Sequence, residues 1–127
     1  MQLQPYLIFP GNCREALGFY EGALGGTVLH ITTVGESPVP HEPEHADLVH
    51  DSAFVSGDLR FRASDGEPGK DPVVGHNVAM FVMCSDAGTQ AEAFGALGQG
   101  GDVLFPLNGG FGMVVDRYGI RWMLALT

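Results

Sequence analysis

The chain contains one short sequence pattern twice, and this limits the folds open to it more than any other feature. Residues 24–29 read LGGTVL, and residues 99–104 read QGGDVL, 75 positions later (99 − 24). A second matching pair, LRF at 59–61 and IRW at 120–122, is separated by 61 positions (120 − 59). An internal repeat of this length predicts two similar half-domains.

The two separations differ by 14 (75 − 61), so the first copy must carry extra residues between positions 29 and 59. The segment 35–47, GESPVPHEPEHAD, supplies them, because its prolines, glycine and charges are typical of a loop. We expect this loop to be a mobile flap, since long insertions of this kind often act as lids or binding loops. A metal site in this loop is an alternative, but Pro43 disfavours the helix that His41 and His45 would need to share a face, which favours a solvated loop with adventitious affinity for metal.

Length and charge narrow the class of protein. A chain of 127 residues with 45% hydrophobic and 17% charged residues predicts one globular domain. The net charge of −9, without any Lys/Arg cluster, disfavours nucleic acid and anionic membranes as partners. The start of the chain has no basic segment of a signal peptide, and no apolar run approaches the ~20 residues of a membrane span. With only Cys13 and Cys84 present, we expect a reduced, cytoplasmic protein.

Local patterns predict a βαβββ unit that occurs twice. The first module is expected at 1–64, a Gly/Pro-rich linker at 65–76, and the second module at 77–127. The expected strands are 4–9, 27–34, 48–55, 59–64, 77–84, 101–107, 111–115 and 121–126. The expected helices are 13–24 and a second one from about 86 to 97.

Each helix has its own signals. For the first, Asn12 followed by Glu15 resembles a capping box. For the second, Ser85 or Asp86 can cap the start. The apolar stripes that should face the sheets are Ala16, Leu17, Tyr20 and Leu24 in the first helix, and Ala87, Ala91, Phe94 and Leu97 in the second.

Alternation along the strands predicts which side chains are left for a ligand. In strand 59–64, Arg60 and Arg62 point away from the apolar face, and in the last strand Arg121 does the same. A guanidinium presents a planar fork that suits carboxylate or phosphate, so these arginines favour an anionic or carbonyl-rich ligand. The alternative is that they pair with Asp51, Asp58 or Asp116 on an exposed sheet.

Four segments, taken with the repeat, resemble the vicinal-oxygen-chelate superfamily, which includes glyoxalase I, extradiol dioxygenases, fosfomycin resistance enzymes and bleomycin-binding proteins. They are PYLIFPGNCREALGFYEGALGG at the start, Val49-His50, ASDGEPG at 63–69, and FGMVVDRYGIRWML at 111–124. Within the superfamily the chain looks most like the PhnB-like branch, often labelled a demethylubiquinone methyltransferase domain. The resemblance implies an α+β fold of two βαβββ modules whose mixed sheets curl around a cavity, usually in a homodimer.

The resemblance also implies where a metal would bind. Catalytic members use His and Glu ligands on four strands, and the resemblance places these positions near Pro5, Arg62, Ala79 and Met123. None of these is a usual ligand for Zn, Ni, Fe or Mn, and neither are their immediate neighbours. We therefore expect no metal and no other cofactor. We also expect no methyltransferase activity, since the glycine clusters at 98–101 and 109–112 are typical of turns.

Three hypotheses of function remain open. The first is a metal-free protein that binds a small organic, possibly anionic, ligand. The second is a metal-independent enzyme that uses His50 and the arginines of the cavity. The third is an interaction module without a ligand. The candidate ligand-binding residues are Arg60, Arg62, Arg121, His50, Phe81 and Met123.

Overall fold

The computed structural model describes all residues, 1–127, and divides into two compact units, 1–73 and 74–127. The first unit contains β1 (Tyr6–Ile8), α1 (Cys13–Leu24), β2 (Thr27–Thr33), β3 (Val49–Ser56) and β4 (Leu59–Ser64). The second contains β5 (Met80–Cys84), α2 (Ala87–Gly98), β6 (Asp102–Asn108), β7 (Phe111–Val115) and β8 (Arg121–Leu126). The order βαβββ, predicted for each half, is confirmed.

The two sheets share one topology. The first has the strand order β1-β4-β3-β2 and the second the order β5-β8-β7-β6. In each, the pair that contains the first strand of the unit is parallel, and the other pairs are antiparallel. The registers also correspond, because Tyr6 lies beside Arg62 in the first sheet and Phe81 beside Met123 in the second. The predicted α+β fold with mixed sheets and an internal repeat is thus confirmed.

The repeated glycines have the same structural role in both units. A Cβ atom on Gly26 would lie 2.6 Å from the carbonyl oxygen of Val55. A Cβ atom on Gly101 would collide with the carbonyl oxygen of Val115. In both units the chain entering the second strand passes directly over the backbone of the third, and only glycine permits that approach. This steric requirement accounts for the sequence match.

Helix α1 begins at the predicted residue but is capped in a different way. Asn12 occupies the N-cap position without making a side-chain capping bond, so the predicted capping box is wrong. Its Oδ1 atom is buried without a partner. The Cys13 N–H instead donates to Asp65, 2.9 Å away, and the other oxygen of Asp65 accepts from the Val49 N–H at 2.8 Å. Asp65, expected in the linker, is therefore a buried part of the first unit.

In the second unit Asp86 caps α2 as predicted, accepting from the Thr89 N–H at 2.8 Å. The predicted apolar face of α2 is wrong in part, since Ala87 and Ala91 are exposed. The buried side chains include Gln90, whose amide donates to the carbonyl oxygens of Gly110 and Leu124, at 2.9 and 3.2 Å. Because the amide of Gln90 has hydrogen-bond partners, its burial costs little stability.

Each core lies between the helix and the sheet of its unit. In the first, Phe61 of β4 meets Tyr20 of α1 edge-on, with ring centroids 5.6 Å apart, and stacks on Phe54 at 4.7 Å. In the second, Trp122 is fully buried, and its indole N–H donates to Asp116 at 2.8 Å. The predicted alternation in β4 and β8 is confirmed, because Phe61 and Trp122 face the helices while Arg62 and its counterpart face away.

The insertion in the first unit joins β2 to β3, whereas two glycines suffice between β6 and β7. It contains two short 3₁₀ turns, Val34–Glu36 and Pro43–His45. The first is closed by a capping box between Thr33 and Glu36, and the Gly35 N–H donates to the Ala46 carbonyl at 2.8 Å. Hydrogen bonds thus fix the two ends of the insertion close together. Its role as a mobile flap stays a prediction. Neither of the helices has the length and apolarity needed to cross a membrane.

Candidate functional site

The face of the first sheet turned away from α1, called here the first open face, gathers four polar side chains. One comes from each strand: Tyr6 from β1, His30 from β2, Asp51 from β3 and Arg62 from β4. Register brings them together, since Arg62 pairs with both Tyr6 and Ala53, and Ala53 pairs with His30. Asp51 and Arg62, 11 positions apart in sequence, thus meet His30, 21 positions from Asp51, on one surface.

Asp51 is at the centre of this cluster. Its two oxygens accept from Arg62, one from the Nε–H at 3.3 Å and the other from Nη2. The Tyr6 hydroxyl donates to Asp51 at 3.2 Å and lies 3.4 Å from the His50 carbonyl oxygen. His30 Nε2 lies 3.4 Å from the same carboxylate. One acceptor therefore orients three donors from three other strands.

The cluster is open to solvent but not fully hydrated. The side chains of Asp51, Arg62 and His30 are 26%, 39% and 44% exposed. Partial burial disfavours the ionised carboxylate, but the hydrogen bonds from Arg62 and His30 outweigh it, so the pKa of Asp51 lies below its ordinary value. Burial is also the main cause that raises the pKa of Tyr6, with a contribution from the charge of Asp51. At neutral pH the cluster holds an ionised aspartate and a protonated tyrosine.

The corresponding face of the second sheet is called here the second open face, and it is apolar at the four positions equivalent to the polar cluster. The register shows that Phe81 takes the place of Tyr6, Phe105 that of His30, Phe111 that of Asp51 and Met123 that of Arg62. Phe81 and Phe105 are 57% and 58% exposed. The two units therefore share one backbone arrangement. Where the first unit carries a polar cluster, the second carries aromatic and thioether side chains.

The candidate arginines differ in their surroundings. Arg62 is paired with Asp51, one of the partners proposed from the sequence. Arg60 lies on the same face of β4, opposite Val55, and is exposed. Arg121 is its repeat equivalent, lies opposite Val115 and is half-buried. Neither Arg60 nor Arg121 forms an ion pair.

The structure also shows where the candidates His50, Phe81 and Met123 lie. His50 is half-buried, and alternation puts it on the side of Ser52 and Phe54, which are buried toward α1. The cluster on the first open face uses His30 instead, a residue that the sequence analysis did not single out. Phe81 and Met123 lie side by side on the second open face.

The structure brings together no group of three or more His, Cys, Asp or Glu side chains that could hold a metal ion. In the strand pairing, Tyr6 rather than Pro5 stands beside Arg62, and Phe81 rather than Ala79 stands beside Met123. Tyrosine, arginine, phenylalanine and methionine do not form a set that suits Zn, Fe or Mn.

A separate hollow of about 500 Å³ lies where α1 begins, in the first unit. Its wall includes Asn12, Arg14, Asp47 and Asp65. Both oxygens of Asp65 are engaged by backbone N–H groups, and Arg14 donates to the Asp47 carbonyl at 3.4 Å. The hollow shares no residue with the polar cluster.

Two solved structures show that this topology is a known fold. A protein from Bacillus cereus, described as a putative 3-demethylubiquinone-9 3-methyltransferase, PhnB protein, superposes with a TM-score of 0.82 at 22% identity, covering all of both chains. The fosfomycin resistance protein FosX from Mesorhizobium loti superposes with a TM-score of 0.66 at 15% identity, covering 98% of this chain and 90% of FosX. The chain therefore shares the glyoxalase-like α+β fold of these two proteins.

Proteins with greater sequence similarity to this chain identify its family. A family model described as 3-demethylubiquinone-9 3-methyltransferase matches residues 1–125, and the chain belongs to this PhnB-like family. Protein PA1353 from Pseudomonas aeruginosa is 34% identical, with a TM-score of 0.88, over 99% of this chain and 97% of that one. Protein YjdN from Escherichia coli is 27% identical over 98% of this chain and 94% of its own length. The methyltransferase description is the name of the family model and demonstrates no methyl transfer.

Proposed function

We propose that this protein binds a small organic ligand on the first open face, without a metal ion, and that the ligand presents carbonyl or acid oxygens to Arg62 and Tyr6. The observation that carries the proposal is the convergence of four polar side chains from four strands on one partly exposed surface. Small-molecule sites typically combine a few oriented polar groups with apolar surroundings. Ile8, 48% exposed beside the cluster on β1, supplies apolar surface of this kind.

Metal-independent binding is supported by the donor set. The cluster offers one carboxylate and one imidazole, whereas a catalytic divalent site commonly uses three protein ligands. The carboxylate is also occupied by a guanidinium, which a metal ion would have to displace. The chemistry available to this face is therefore hydrogen bonding and charge, not Lewis acidity.

A metal-independent enzyme is the second candidate. The pairing of His30 with Asp51 favours it, since a carboxylate orients an imidazole for proton transfer. In this hypothesis the proton carrier would be His30 in place of the predicted His50. Methyl transfer is not part of the proposal, because the glycine pair at 109–110 joins two strands, and Gly100 and Gly101 follow a helix.

The ligand test compares Arg62→Ala with Lys70→Ala. Each variant removes one positive charge, but Lys70 lies outside the cluster and is 71% exposed. We expect native mass spectrometry of gently purified wild-type protein to retain a bound small molecule. Arg62→Ala should bind the same compound at least tenfold more weakly, because it loses the donors at the centre of the site, and Lys70→Ala should bind it as the wild type does. Equal binding by all three proteins would place the ligand elsewhere.

We also propose that the protein is a homodimer. The second unit leaves large apolar side chains exposed, among them Phe81, Met83 and Phe105. Strand β6 lies at an edge of its sheet, and unpaired edges tend to be covered by a partner. Light scattering should give twice the chain mass of 13.5 kDa across the micromolar range. A mass of one chain at high micromolar concentration would contradict the proposal.

The proposed setting is a reducing cytoplasm. Cys13 and Cys84 are both free and buried. Burial, followed by the nearby charge of Asp65, raises the pKa of Cys13 to about 12. A thiol in this state is inert, so its role is packing and not catalysis.

A further inference from the structure

The contact between Asp51 and Arg62 has the form of an anion site that is already filled. The carboxylate accepts from the Nε–H and from Nη2, one oxygen to each nitrogen. This two-pronged arrangement is the one by which a guanidinium binds the carboxylate or phosphate of a ligand. The protein's own side chain thus occupies the edge of Arg62 where an anionic ligand would form its strongest contact.

We propose that Asp51 is the specificity-determining residue of the first open face: it excludes anions from Arg62 and leaves a site for an uncharged ligand that carries a carbonyl or amide group. The inference rests on the proposed function and decides between the two ligand types, acid and carbonyl, that Arg62 alone would accept.

An uncharged ligand can use the donors that Asp51 leaves free. A guanidinium has five N–H groups, and Asp51 engages only one edge of it. The remaining N–H groups can donate to a carbonyl oxygen without breaking the pair. The Tyr6 hydroxyl oxygen and the second ring nitrogen of His30 add positions for a ligand that both donates and accepts.

An anionic ligand would meet opposition at the same place. It would lie within a few ångströms of the Asp51 carboxylate, and like charges at that distance repel. To displace Asp51 it would have to break contacts from Arg62, Tyr6 and His30 together. The net charge of −9 disfavours its approach as well. Because its pKa is lowered, Asp51 keeps its negative charge at neutral pH.

The test uses inorganic phosphate as an anion probe and the NMR resonance of the Arg62 Nε–H group as the reporter. Wild-type protein at pH 7 should show no saturable shift of this resonance up to tens of millimolar phosphate. Asp51→Asn, which keeps the size of the side chain but removes its charge, should show a saturable shift with at least tenfold tighter binding. Asp58→Asn is the charge-matched control, since Asp58 is exposed in the β3–β4 turn, and it should behave as the wild type does.

Two results would overturn the inference. One is saturable phosphate binding at Arg62 in the wild type with the affinity of Asp51→Asn. The other is the absence of phosphate binding in both Asp51→Asn and Asp51→Ser, the second variant serving in case the first folds poorly. The probe reports on the guanidinium itself, so either result is independent of whether a ligand co-purifies with the protein, which tests the proposed function separately.

Discussion

Replacement of Trp122 by alanine should lower the free energy of unfolding by about 3–5 kcal/mol, the range for a large aromatic side chain lost from a core. Trp122 is fully buried in β8 beneath α2. Its removal creates a cavity and also takes one donor from the buried carboxylate of Asp116. Two backbone donors, the N–H groups of Tyr118 and Ile120, would still hold Asp116 at 2.8 and 3.0 Å. Urea denaturation followed by circular dichroism measures the change.

The adjacent residue supplies the control. Met123 is next in the same strand but points to the second open face and is half-buried. Met123→Ala should therefore cost less than half as much as Trp122→Ala. Trp122→Phe should fall between the two, because it keeps most of the apolar volume but loses the indole donor and part of the ring system. Equal losses for Trp122→Ala and Met123→Ala would show that the two faces of β8 are packed alike, contrary to the structure.

Replacement of Asp65 by alanine should cost about 2–6 kcal/mol, because each of two buried N–H groups left without a partner costs roughly 1–3 kcal/mol. Asp65 is 4% exposed and joins the first residue of α1 to the first residue of β3. Its loss removes the cap of the helix and the anchor of the strand at the same time. The melting temperature in a calorimeter should fall accordingly.

Asparagine at position 65 separates the two contributions. Its single carbonyl oxygen can accept from the N–H of Cys13 or of Val49, and its NH₂ group cannot accept from the other. Asp65→Asn should therefore lose about half of what Asp65→Ala loses. Asn12→Ala should change stability little, since its side chain caps nothing. A large loss for Asn12→Ala beside a small one for Asp65→Ala would contradict the observed capping.

Secondary structure and topology could be predicted from local patterns. The helix Cys13–Leu24 and the strands Leu59–Ser64, Phe111–Val115 and Arg121–Leu126 have the predicted bounds. These elements have strong periodicity, so neighbouring residues suffice to define them. The topology was predicted from the repeat, because two copies of one βαβββ pattern restrict the possible strand orders.

The polar cluster was predicted only in part. Alternation identified Arg62 and its direction, and Asp51 was considered as its partner. Tyr6 and His30 were missed, since their place depends on register between strands far apart in sequence. In β2 the pairing with β3 slips between Val28 and His30 and again between Thr32 and Thr33. Such irregularities shift the alternation of side chains and leave no recognisable signal in the sequence.

The sequence by itself determined the repeat, the order of elements and the faces of β4 and β8, because these follow from spacing within a few residues. Only the tertiary structure decided that Asp65 caps α1, that Gln90 is buried, and that Asp51 fills the guanidinium fork of Arg62. Each of these contacts joins residues at least 11 positions apart, and several candidate partners of the same type exist along the chain. The choice among such partners is made when strands and helices pack, and packing depends on the whole of a unit.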